Sequence, residues 1–150
     1  MMIQINDIAD AFVAALNAGT NFSLTFTASR KYAHQISTEL TDYDDLTVYV
    51  VPQSQSLELN SRDADKHETV LRMSVIKKTL SAATNAEIDT LVDFTGELLT
   101  FALRRKVTVA GSSVVCVGVS QPAILSPDDL SDRLFFSQMD LTFRGYPTNA

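Results

Sequence analysis

Apolar residues recur at helical spacing in two stretches of the chain and alternate with polar ones in most of the others. Between Thr84 and Lys106, residues Ile88, Leu91, Val92, Thr95, Leu98, Leu99 and Ala102 share one face, with Thr90, Asp93, Glu97 and Thr100 opposite. Phe94 and Phe101 lie on the flank between. Thr84 and Glu87 have the spacing of a reciprocal cap at a helix start. Arg104, Arg105 and Lys106 complement the dipole at its end. The pattern predicts a long amphipathic helix broad enough to cover a sheet. A shorter helix is predicted from Asp7 to Asn17, with Asn6 as cap, Asp7 and Asp10 in the first turn and Gly19 as stop. Its apolar face is Ile8, Ala11, Phe12, Ala15 and Leu16.

Strict alternation from Phe22 to Ser29 predicts a half-buried strand. Thr38 to Asp45 reads as a polar loop and Leu46 to Val51 as a strand that Pro52, lacking an amide, should end. Residues 53–68 read as a projecting arm or loop, with a short strand at Leu57 to Asn60. Thr69 to Thr79 predicts a long strand with Leu71, Met73 and Val75 towards the core and Val70 and Ile76 away from it. Val114 to Val119 suits a buried strand, and Ser126-Pro127-Asp128-Asp129 a helix start. Leu134 to Phe143 is the last strand, with Phe135, Met139, Leu141 and Phe143 facing in, and 144–150 a loose tail. This order predicts an α+β fold in a single domain, 1–150. Its mainly antiparallel sheet would be packed on one face by the long central helix and the shorter N-terminal one.

Composition narrows the function more than the fold. The chain has 150 residues, enough for one sizeable core, and a formal charge of −6. An acidic chain with scattered Lys and Arg is a poor grip for a nucleic-acid backbone. The single cysteine, Cys116, gives neither a disulfide framework nor zinc spacing. Met1 to Asp7 has neither the basic start nor the apolar core of a leader. No run approaches the ~20 apolar residues of a membrane span.

Candidate chemistry is sparse. Asp63, Asp65, His67 and Glu68 have the residue types of a hard-metal or hydrolytic site, but the glycine and distant glutamate of a calcium loop are missing. A solvated surface loop is the plainer reading. Cys116 sits between valines, as an inert thiol would, and no glycine-rich phosphate loop or nucleophile elbow occurs. We therefore expect no enzyme activity, no cofactor and no metal. Phe94, Phe101, Val70 and Ile76 fit two readings: the margin of an ordinary core, or a subunit interface.

Several pieces resemble the tail terminator (tail completion, neck or head–tail joining) proteins of tailed bacteriophages. They are Ile8-Ala9-Asp10-Ala11-Phe12-Val13-Ala14-Ala15-Leu16-Asn17, Leu46-Thr47-Val48-Tyr49-Val50-Val51-Pro52, Val75-Ile76-Lys77-Lys78, Asn85-Ala86-Glu87-Ile88-Asp89-Thr90-Leu91 and Leu141-Thr142-Phe143-Arg144. They are spread over most of the chain, from Ile8 to Arg144, in the family's order. The resemblance implies a homo-oligomer, a hexameric ring that caps the tail tube protein, stops its polymerisation and meets the head connector. DNA would pass through its hole unbound, and the protein would sit at the tail–head junction of the virion after assembly in the host cytoplasm. Six copies at −6 each would carry −36 in all. The arm's Asp63, Asp65 and Glu68 are candidates to line the hole and repel the passing genome. The alternatives are a head-completion or adaptor ring nearer the capsid and, from another class, a small metal-dependent hydrolase using Asp63, Asp65 and His67.

Overall fold

Leu134–Gly145 buries almost every second residue along its length, and it does so because it is a central strand. Phe135, Met139, Leu141 and Phe143 enter the core on one face, and Phe136, Asp140 and Arg144 alternate with them. The computed structural model describes residues 3–32, 43–59, 61–62, 65–79, 85–125, 127–131 and 133–146. Their elements are α1 (Ile5–Ala18), β1 (Thr27–Arg30), β2 (Thr47–Leu59), β3 (Asp65–Lys78), α2 (Asn85–Ala102), β4 (Lys106–Val109), β5 (Ser112–Ala123), α3 (Pro127–Ser131) and β6 (Leu134–Gly145). The sheet order is β1-β2-β3-β6-β5-β4, with β1 parallel to β2 and every other pair antiparallel.

The expected architecture, an antiparallel sheet organised by one dominant helix, is corrected. The sheet itself dominates: 48% of the described residues are strand and 30% helix, and the sheet is mixed and curled. Its two outermost strands, β1 and β4, both touch α1, so it wraps that helix into its trough. Bulges in β2 and β5, where the register shifts, supply extra twist for the curl. Ile8, Ala9, Phe12 and Leu16 of α1 are buried by it. α2 leans on β5 and β6 and closes the trough with Leu91, Phe94, Leu98 and Ala102. Each large side chain fully buried there contributes roughly 1.5–3 kcal/mol relative to exposure.

Polar side chains between α2 and the sheet are paired. Gln121 Nε2 donates to Thr95 Oγ1 (3.1 Å) and Ser137 Oγ (2.9 Å), tying α2 to β5 and β6. The Thr95 hydroxyl in turn donates a hydrogen bond to the Val92 carbonyl at 2.6 Å, so its place on the helix's apolar face leaves it paired.

Local expectations fail where tertiary contacts override pattern. Phe22 to Phe26 alternate like a strand yet form no ladder, and only Thr27–Arg30 pairs with β2. Their rings instead build an aromatic cluster with α2, Phe22 lying 5.1 Å from Phe26 and from Phe101 and 6.1 Å from Phe94 between centroids. Pro52 does not end β2. Val50 turns its carbonyl to β1, so Pro52, two residues on, turns its missing donor to the same outer edge, and a bulge absorbs the rest. α1 begins at Ile5 with Gln4, not Asn6, in the cap position, and Asp10 pairs with Arg30 at 2.8 Å. The cations after α2 fall outside its last turn: Arg104 takes a positive φ of 69°, and Lys106 opens β4. Arg105 alone reaches back, its guanidinium 3.8 Å over the Phe101 ring. Tyr43, read as part of a polar loop, is buried on the convex face against Ile76 and Leu134. Arg144 and Gly145 belong to β6 rather than to a loose tail. Thr84, Ser126, residues 38–42 and 147–150 lie outside the described residues.

Candidate functional site

The arm is a hairpin. β2 and β3 remain paired out to Leu59 and Asp65, whereas β6 stops alongside β3 at His67, so the last two pairs stand beyond the sheet. All seven residues from Gln53 to Leu59 are exposed. Most are polar, but Leu57 is 57% and Leu59 80% exposed. The hairpin is held by backbone pairing, and charge pairs fasten its β3 strand to β6. On one face Glu68 sits directly opposite Arg144, which donates from Nη2 at 2.9 Å, and Arg72 opposite Asp140, which accepts from Nε at 2.8 Å. Such cross-strand pairs of opposite charge favour this register over one that sets like charges opposite each other.

His67 is at the hairpin's root and points to the other face. Its ring is buried, with Nε2 3.3 Å from Gln55 Oε1 and Nδ1 3.4 Å from Thr69 Oγ1. Burial lowers its pKa below the ordinary 6.5. Both ring nitrogens thus face neutral partners of its own hairpin, and Glu68 turns to the opposite face to meet Arg144. Asp63 lies outside the described residues. Among the described residues no three His, Cys, Asp or Glu side chains come together as metal ligands. Of the expected hole-lining acids, Glu68 has its charge compensated by Arg144.

The four interface candidates separate. Phe94 is completely buried in the core and Ile76 is 1% exposed beneath Tyr43, so neither has surface to offer, which corrects that expectation for both. Val70 is half-buried on β3. Phe101 is half-buried too, between Phe12, Phe22 and the Arg105 guanidinium. It lines a cleft of about 410 Å³ between α2 and the segment after α1, together with Phe22, Glu97 and Arg105. Glu97 fastens that segment, accepting from the Ser23 amide at 2.8 Å and from its hydroxyl. The helical spacing of Phe94 and Phe101 showed a shared flank. It carried no information that the Phe22–Phe26 segment would cover one ring and leave the other at a margin.

Neither a scan against protein-family models nor a search of curated proteins finds a match to this chain. No helix among the described residues is long and apolar enough to cross a membrane.

Proposed function

We propose that this chain is a structural assembly protein of a tailed-phage virion. It forms a ring, six-fold by the family resemblance, that caps the tail tube, stops its growth and meets the head connector. The observation that carries the reading is the β2–β3 hairpin. It projects past the sheet, buries little within its own chain, and puts two leucines into solvent among polar residues. Glu68–Arg144 and Arg72–Asp140 tie β3 to β6 at the hairpin's root, and exposed leucines on such a projection suit a neighbour. The resemblance supplies the virion setting and the partners, and the acidic chain suits a hole through which DNA passes without binding. Glu68 is neutralised by Arg144, so the hairpin's part in this reading is contact between copies rather than repulsion by that residue. The hydrolase alternative is not favoured, because His67 is turned into its own hairpin. Adding the purified chain to polymerising tail tubes tests the reading. Tubes should end at a ring seen by negative stain and lengthen no further, and tubes that grow unchanged would refute it.

A further inference from the structure

Two stretches of the sheet's rim carry no strand among the described residues. β1 covers β2 only as far as Val50, whose carbonyl accepts from the Lys31 amide at 3.0 Å. β4 covers β5 only up to Val115, and Arg104 and Arg105 extend the pairing to Cys116. Beyond these points no described residue pairs with the outer edges of Gln53–Leu59 and Val117–Ala123. The rest of the rim is guarded by α1, where Asn17 makes two hydrogen bonds to Ala28 of β1, both at 3.0 Å, and the helix touches β4.

The two open stretches complement each other. They lie at opposite edges of the sheet, and three successive antiparallel pairings make β2 and β5 run in opposite directions. Because Val50 turns towards β1, Thr47, Tyr49 and Val51 turn towards β3. The extra residue at the bulge after Pro52 inverts this, so Gln55, Leu57 and Leu59 point their N–H and C=O groups outwards. Exposed apolar side chains gather at the same two places: Leu57 and Leu59 on one edge, and Val117 (44% exposed) and Ile124 (50%) at the other. An edge of unpaired backbone flanked by exposed leucines is a template for another strand.

We propose that the outer edge of β2 at Gln53–Leu59 in one copy pairs antiparallel with the outer edge of β5 at Val117–Gln121 in a second copy. Pro122 has no donor and ends the ladder. The occupant is a second copy because the matching corner, in direction and apolar content, is on this same chain. Joining two different edges is a heterologous contact, which generates a ring where the rotation closes and a filament where it does not. The closed form rests on the ring-forming reading above; the pairing itself does not.

Glu58→Cys and Ser120→Cys chains, purified separately, test the pairing with a short bismaleimide, each alone and then mixed, alongside negative stain. Both positions are exposed, and Cys116 is buried. Cross-linked dimer is expected in the mixture and absent from either chain alone. A second variant in the mixture, Leu57→Pro, removes an outward donor without touching the β3 ladder, and loss of the cross-link with an unchanged circular dichroism spectrum is expected. Dimer from the Glu58→Cys chain alone means β2 pairs with itself and overturns the proposal. Rings without the mixed cross-link overturn it and leave the ring reading standing. Filaments carrying the cross-link support the pairing and overturn the ring, and a monomer at every concentration overturns both.

Discussion

Asn17 takes the place of a strand beside Ala28. Its Nδ2 donates to the Ala28 carbonyl and its Oδ1 accepts from the Ala28 amide, each at 3.0 Å, the two bonds a neighbouring strand would make. The contact fixes the end of α1 to the rim of the sheet it fills. Asn17→Ala leaves both backbone groups to water at a half-buried edge, and a loss of about 1–2 kcal/mol is expected in urea unfolding. Asn17→Asp keeps the acceptor only and should fall between.

His67 makes stability depend on pH. Its folded pKa is lowered by burial, so the unfolded chain binds the proton more readily. The stabilisation is fully present above the ordinary value of 6.5 and is lost as pH falls towards and through the lowered folded value. Between about pH 7.5 and 5 the urea midpoint should drop further for the native chain than for His67→Gln, which keeps a polar partner for Gln55 but does not titrate.

Cys116 should be silent in the folded chain. Burial pushes its thiol up to about 11. Only about one thiol in a thousand is then ionised near pH 8. Iodoacetamide labelling followed by mass spectrometry should be negligible there and complete in denaturing urea. Fast labelling of the folded chain would show that β5 opens around this residue.

The β4–β5 turn holds a local strain that one substitution relieves. Ala110 (φ 51°) and Gly111 (φ 79°) both sit at positive φ, as a two-residue turn between twisted strands demands. Alanine has no side-chain bond to offset this conformation, whereas asparagine tolerates it. Ala110→Asn should raise stability by about 0.5–1 kcal/mol in thermal or urea unfolding, with no change of structure.

These sites show what was legible in the sequence and what was not. Periodicity found α1, α2, the start of β2 and the inward face of β6, because in each the core takes residues at the spacing the backbone imposes. It misjudged Phe22–Phe26, whose alternation is real but whose rings pack on Phe94 and Phe101 instead of lying on a paired strand. It missed β4, since Arg104 to Lys106 look like the basic end of a helix and four residues are too few for a pattern. Pro52 misled because a proline is costly only where its absent donor faces a partner, and which edge stays open is a property of the whole sheet. The same gap hid the importance of α1: no local signal shows that a sheet will curl around the shorter helix. At the hairpin the arm itself was visible, but the compensation of Glu68 by Arg144 joins residues far apart in the chain and could not be read.

Native mass spectrometry of the purified chain, across a range of concentrations, bears most directly on self-assembly through the hairpin and the sheet's open edges. A closed species at six times the 16.4 kDa chain mass, lost when residues 57–67 are replaced by an Asn-Gly turn that joins the register partners Ser56 and Glu68, is the expected result. A chain that stays monomeric throughout, or whose assembly survives loss of the hairpin, would contradict it.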